Sequence, residues 1–348
     1  MIPFSCWPQV TPWNACNQQS RVFYSRHKVA FGKNDFLGKS ELGAKDAIHM
    51  SSMTTKWPLT RVHAAGSAVG VEGGVVSARL DDVLGTEEPL ELRIHAENSR
   101  EPFTLAIAMR TPGHDEELLT GLLIAEGIIW ERNQLVGMER TSGRLTASLV
   151  NVGIASSEGA QRGFSARRLL TSSACGTCSK TDWDQVLPER RSGGLEGEAI
   201  SLSVSDVLPL LQRLSEAQPC FAATGAVHGT ALFDADLELL AAAEDVGRHN
   251  AFDKAIGHYF LSHQGEEVDP LCARKLAAVS GRIGFELVQK AIMGGIELIV
   301  AYGAPTSAAA ELALKHDITL IGMAREGRCN IYTHDYRIKG THDLILLN

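Results

Sequence analysis

Four short apolar runs in the C-terminal half leave this chain few folds to choose from: "ELLAAA" from Glu238, "KLAAVS" from Lys275, "IELIVAY" from Ile296 and "ITLIGM" from Ile318. Each is too short for a buried helix, and between them lie stretches with helical patterning, from about Asn250, over about 284–293 and over about 306–315. A βαβα rhythm of this kind predicts a mainly parallel sheet with helices on its faces. This second domain is expected over 199–348. The helix "SLSVSDVLPLLQRLSEA" and a hairpin in "CFAATGAVHGTALF" lead into it.

The rest of the chain reads differently. Residues 1–75 mix Trp, Pro, Asn, Ser and Gly without sustained periodicity and are expected to be a poorly ordered extension. Residues 76–150 form a smaller N-terminal α+β domain. In it, "LELRIHAE" turns Leu92, Ile94 and Ala96 inward, and "FTLAIAM" does the same with Phe103, Leu105, Ile107 and Met109. "TPGHDEELLTGLLIAEGII" follows as a helix, with Asp115, Glu116 and Glu117 in its first turn and a stripe of leucines. Residues 151–198 are rich in Ser, Gly and Arg and read as a long mobile loop.

Polar segments of the second domain share one location. "EDVGRHN" (244–250), "SGR" (280–282), "YGAPTS" (302–307) and "MAREGR" (323–328) each follow a strand. They therefore belong at the carboxyl edge of the sheet, where open α/β folds bind ligands. Arg248, Arg282, Arg325 and Arg328, together with free N–H groups at helix starts, would make an anion-binding rim. Gly247, Gly281, Gly303 and Gly327 permit close backbone approach. The ligand expected there is anionic and nucleotide-like.

A net charge of −8 argues against a general nucleic-acid binder. No apolar run approaches the roughly 18 residues of a membrane span, and the N-terminus lacks the pattern of a secretory signal. Seven scattered cysteines read poorly as a disulfide framework and fit a reducing, cytoplasmic setting. Two of them, Cys175 and Cys178 in "TSSACGTCSK", form a CxxC within the polar loop. Such a pair could clamp a metal, form a redox disulfide, carry a reactive sulfur atom or only pack, and Lys180, Arg167 and Arg168 nearby could lower a cysteine pKa. Cys220 and Cys272 border apolar strands and read as core packing.

In their order along the chain, "EELLTGLLIAEGII", "SSACGTC", "TGAVHGTAL", "EDVGRHNAFDK", "SGRIGFELVQKA", "GAPTSAAAELA" and "GMAREGRCNIYT" resemble the signatures of the formate dehydrogenase accessory sulfurtransferase family, FdhD. The resemblance spans about 85–335. It implies a cytidine-deaminase-like α/β domain with an N-terminal extension, usually as a homodimer. It also implies a sulfurtransferase that accepts sulfur from a cysteine desulfurase and passes it to the molybdenum cofactor of formate dehydrogenase. That cofactor, bis-molybdopterin guanine dinucleotide, would be a bound substrate, and no permanent metal is expected. By position, Cys175 would hold a persulfide and Cys178 would assist. Met323, Ala324, Arg325, Glu326, Gly327 and Arg328 would contact the cofactor.

His228, Glu244, Asp245, Arg248, His249, Ser280 and Arg282 complete the expected binding set. Glu244 and Asp245 could either hold Arg248 or bind the guanine N–H edge. Asn250 is expected to cap its helix, and Asp253 and Lys254 to form a surface pair. Departures from the family pattern fall at Ala226, Gly284, Met323 and Cys329. Three rivals stand beside this reading. A zinc hydrolase or deaminase would need His228 or His249 to complete a site with the CxxC; here Ser173-Ala174 rather than Pro precedes the CxxC, and the second domain has no H-x-E. A thioredoxin-type oxidoreductase would need its CxxC at a strand-to-helix turn. A cofactor-holding chaperone would not need Cys175.

Overall fold

In the computed structural model, residues 52–64, 75–97, 99–152, 195, 199–263, 270–325 and 327–340 are described. Two long strands, β1 (Thr54–Ala64) and β2 (Val75–Gly85), pair antiparallel from Thr54↔Gly85 to Ala64↔Val75. The extension expected through residue 75 thus already contains a strand. Its sequence gave no inward alternation because the hairpin exposes much of its apolar content, Trp57, Leu80 and Leu84 among it. Met53, just ahead of β1, is buried with Cys220 and Val227 and anchors the hairpin's base.

A four-stranded sheet follows, built from β3 (Glu88–Ala96), β4 (Phe103–Arg110), β5 (Leu135–Thr141) and β6 (Arg144–Leu149) in the order β4-β3-β6-β5, with α1 (Asp115–Ala125) after β4. Leu90, Leu92, Ile94 and Ala96 are buried as the alternation requires. β4 corrects the expectation. Leu92 pairs with Ala106 but Arg93 with Thr104, so Leu105 is an extra residue in the ladder. A bulge exchanges the faces of a strand. Beyond it Ala108 and Arg110 point inward, and Ile107 is left 60% exposed.

The second sheet has six strands. After β7 (Leu202–Ser203), α2 (Val204–Glu216) and α3 (Pro219–Thr224) come β8 (His228–Phe233), β9 (Leu239–Asp245), α4 (Arg248–Ser262), β10 (Lys275–Val279), α5 (Phe285–Met293), β11 (Ile296–Ala301), α6 (Ser307–Lys315), β12 (Thr319–Arg325), β13 (Arg328–Ile331) and β14 (Ile338–Lys339). The order is β13-β12-β11-β10-β8-β9, while β7 and β14 form a separate parallel pair. β10, β11 and β12 are parallel neighbours, β8 is antiparallel to both β10 and β9, and β9 therefore runs with β10. The expected hairpin at 220–233 is instead the short helix α3 running into β8, and the true hairpin is β8–β9. Pro219 in the first turn of α3 has no N–H to leave unsatisfied there, which favours a helix start.

Both faces of this sheet are covered, and every residue of β10 and β11 is buried. That is why those strands read as unbroken apolar runs. α2 covers one face through Val207, Leu210, Leu211 and Leu214. On the other face, α4, α5 and α6 share one continuous core with α1 and the four-stranded sheet. The two expected domains are therefore fused across the α1–α4 contact. A Cβ on Gly121 would lie 1.9 Å from Asp253 O, and one on Gly257 would lie 1.9 Å from Glu117 O. Only glycine allows helix backbones so near each other.

Candidate functional site

The topology brings the carboxyl ends of β9, β10, β11 and β12 to one edge, together with the amino ends of β8 and β13. Beyond the strands the loops stay zipped by backbone hydrogen bonds: Gly303 N–H donates to Gly281 O (3.2 Å), and Met323 N–H donates to Gly303 O (3.0 Å). Gly303 has no room for a side chain, since a Cβ there would lie 2.7 Å from both Arg282 Cα and Gly281 O. Gly322 is equally tight, 2.8 Å from Gly303 O. These contacts extend the sheet's rigidity into the loops that carry the polar residues.

At the centre of this edge lie His228, Arg248 and Ser280. A Cβ on Gly281 would sit 3.4 Å from Arg248 Cδ and 3.5 Å from His228 Nδ1, so both side chains lie over that glycine. The Ser280 hydroxyl is 3.2 Å from His228 Nδ1 and accepts from Gly229 N–H at 3.0 Å. Burial, then the charge of Arg248, hold His228 below its ordinary pKa. His249, in the first turn of α4, has Nε2 3.5 Å from Glu286 Oε2. Its burial outweighs that carboxylate and pulls its pKa down to about 4. Both imidazoles are thus neutral at pH 7. The Nε of Arg248 is buried without a hydrogen-bond partner among the described residues. A buried donor left over in this way is what an anionic ligand would satisfy.

Glu244 and Asp245 turn away from the edge and are buried. Glu244 accepts from the backbone N–H groups of Cys220 (2.8 Å) and Phe221 (2.7 Å), and its burial raises its pKa. Asp245 is saturated. Its Oδ1 accepts from Gly247 N–H (2.9 Å) and Asn250 Nδ2 (3.0 Å), and its Oδ2 from Thr111 N–H (3.1 Å) and the Lys254 ammonium (2.7 Å). Asp245 has no capacity left for a guanine edge, and Glu244, 5% exposed, is committed to the start of α3. They brace the loop from beneath.

Two further expectations change here. α4 begins at Arg248 with Gly247 as its N-cap, and Asn250 spends its amide on Asp245 and on Met109 O (2.9 Å). Asp253 and Lys254 are both buried and do not pair with each other: Asp253 takes Lys290 (2.8 Å), while Lys254 takes Asp245 and Thr111 O (2.7 Å). Lys254 and Thr111 are the supporting residues that sequence reasoning missed. A lysine beside apolar residues in "NAFDKAIG" was the available signal.

On the β12–β13 side, Met323 adopts a left-handed backbone (φ 52) and is exposed, whereas Ala324 is fully buried in the core. Ala324 can contribute only through its backbone. Arg325 and Arg328 face each other across the hairpin end, both exposed, with Gly327 at φ 75 in the turn. Arg282 is likewise exposed. Glu326, Cys175, Cys178, Lys180, Arg167 and Arg168 lie outside the described residues, as does nearly all of the loop 151–198. Cys220 is fully buried, and burial, with the charge of Glu244, pushes its thiol pKa up. Among the described residues, neither His228 nor His249 belongs to a group of three metal-ligating side chains.

Residues 86–339 match the model of the FdhD/NarQ family. A protein of Streptomyces avermitilis named "Sulfur carrier protein FdhD" is 36% identical over 283 residues, covering 80% of this chain and 96% of the relative. A protein of Thermoplasma volcanium with the same name is 33% identical over 296 residues, covering 84% of this chain and 99% of the relative. Among solved structures, a putative formate dehydrogenase accessory protein from Desulfotalea psychrophila has the same fold. It matches with a TM-score of 0.55 at 19% identity, over 81% of this chain and 99% of that one.

Proposed function

This chain belongs to the FdhD/NarQ family, and from that premise we propose that it is a sulfur carrier acting in the maturation of formate dehydrogenase. In this reading the Cys175 thiolate attacks the outer sulfur of a persulfide on a cysteine desulfurase. An S–S bond forms on Cys175 as the donor cysteine leaves as a thiolate. The charged carrier then binds bis-molybdopterin guanine dinucleotide as its substrate. Cys178 attacks the inner sulfur of the Cys175 persulfide, sulfide departs with the bonding electron pair toward the molybdenum, and a Cys175–Cys178 disulfide remains. A cellular dithiol returns that disulfide to thiols.

The observation that carries the ligand side of this proposal is the partnerless buried Nε of Arg248, set over Gly281 beside a neutral His228. Arg248, Arg282, Arg325 and Arg328 supply charge for the cofactor's pyrophosphates and guanine nucleotides, and helix α4 adds its first N–H groups. In the same reading Met323, Glu326, Gly327, Ser280 and His249 also contact the cofactor. The proposal also assigns the six-stranded sheet to the cytidine-deaminase-like α/β domains, and the protein to the cytoplasm as a homodimer. Among the described residues no helix is long and apolar enough to cross a membrane.

The test is a formate dehydrogenase maturation assay in cells that depend on this chain for the activity. Cys175→Ala is expected to abolish activity while cofactor binding persists. Full activity with Cys175→Ala would replace sulfur transfer by simple holding of the cofactor. Cys178→Ala is expected to load sulfur and fail to deliver it; normal delivery would remove the disulfide step.

A further inference from the structure

We propose that His114, Glu117 and His258 form a binding site for one divalent transition-metal ion of the zinc type, clipping the start of α1 to α4. Their candidate ligand atoms all lie within 4.8 Å of one another. His114 Nδ1 is 3.3 Å from Glu117 Oε1, and the His114 and His258 ring centroids are 5.9 Å apart. His258 Nδ1 is buried and has no hydrogen-bond partner among the described residues. An ordinary His114–Glu117 ion pair accounts for two of the three side chains and leaves His258 out. A metal accounts for all three.

The scaffold fixes the group from both sides. Gly257 packs against the backbone of Glu117 so closely that a Cβ there would lie 1.9 Å from Glu117 O, which brings its neighbour His258 up to the first turn of α1. His114 occupies the N-cap position of α1 in a left-handed conformation (φ 52, ψ 39) and makes no side-chain cap, so its ring serves Glu117 instead of the helix N–H groups. Sites on packed helices hold ligand geometry better than sites on loops.

The donor chemistry selects the ion. Two imidazoles with one carboxylate form a set that zinc accepts, with water in the fourth position, and imidazole disfavours magnesium and calcium. Bonds of about 2.0–2.1 Å in a tetrahedron put ligand atoms roughly 3.3 Å apart. The His114–Glu117 separation already meets that, and His258 needs only a rotamer-scale approach. Burial, then the proximity of His114, hold His258 below its ordinary pKa. Burial pushes the Glu117 carboxyl up, but its hydrogen bonds with His114 and with its own backbone prevail, leaving it below the ordinary value. Neutral imidazole and ionised carboxylate are the states that metal binding requires.

None of its three ligands belongs to the CxxC or to the arginine rim. It lies three residues beyond Thr111, whose N–H supports Asp245, and on the helix that begins with Arg248 and His249. Metal binding would stiffen the underside of that rim without entering it.

The test is a zinc titration against a chromophoric chelator on the full chain carrying Cys175→Ala and Cys178→Ala, so that the CxxC thiols do not compete. One zinc per chain is expected. His258→Ala is expected to weaken binding about 100-fold or more, beyond the 10–100-fold typical of losing an outer-shell partner. His114→Asn, whose new side chain suits the left-handed backbone, should weaken it comparably. Thermal unfolding without zinc checks that each variant is folded, and added zinc should raise the midpoint of the parent alone. Failure of the parent to bind zinc, or equal affinity in the parent and both variants, would overturn the proposal.

Discussion

Replacing Lys254 by methionine should cut the stability of the chain by about 3 kcal/mol. The lysine and Asp245 are 1% and 0% exposed, their charged atoms 2.7 Å apart. Removing one member of a buried ion pair costs about 3–5 kcal/mol, because the other charge is stranded away from water. Asp245 would keep three donors, Thr111 N–H, Gly247 N–H and Asn250 Nδ2, which places the loss at the low end. Thr111 O would also lose its ammonium donor. Urea unfolding followed by intrinsic fluorescence measures the loss. Adding Asp245→Asn to Lys254→Met neutralises the stranded charge and should recover at least about 1 kcal/mol, within the range found for coupled neighbours. A single-variant loss below about 1 kcal/mol would refute the reasoning. A double variant whose loss is the plain sum of the two singles would refute it equally.

Three other outcomes follow from the same geometry. Arg248→Ala should weaken binding of GDP, as a probe of the rim, by about 10-fold or more, since hydrogen bonds to charged groups are worth about 1.5–3 kcal/mol; unchanged affinity by calorimetry would remove Arg248 from the site. Gly303→Ala should cost about 1–3 kcal/mol by overpacking and should also weaken GDP binding, because its Cβ would press on the backbone of Arg282; wild-type stability and affinity would mean that the loops are not rigidly zipped. His249 sits at about 4 in the folded chain against 6.5 when free. The unfolded state therefore binds more protons between those values, and stability is lost as pH falls through that window. The loss from pH 7 to pH 5 should be about 2 kcal/mol. His249→Gln should abolish that share, and an identical pH dependence in the variant would contradict it.

The sheet was legible because its central strands are buried on both faces and so spell unbroken apolar runs, and because each run ends in a polar segment. The edge location of Arg248, Arg282, Arg325 and Arg328 follows from strand direction alone. What escaped sequence reasoning depends on tertiary contacts. The bulge at Leu105 reverses the inward face of β4, and no residue type announces it. Asn250 looked like a cap but is drawn to Asp245, leaving Gly247 to open the helix. Asp253 and Lys254 looked like surface charges because their partners, Lys290 and Asp245, come from elements that only the fold brings near. The His114–Glu117–His258 group has no spacing signature, since one of its members comes from a different helix.

The central claim, that Cys175 carries transferable sulfur, is tested most directly by mass spectrometry of the intact chain after incubation with a cysteine desulfurase and cysteine. The account expects one added sulfur atom, removable by a thiol reductant, that peptide mapping places on Cys175 and that Cys175→Ala never acquires. Sulfur bound instead at another cysteine, or no adduct with an active donor, would contradict it.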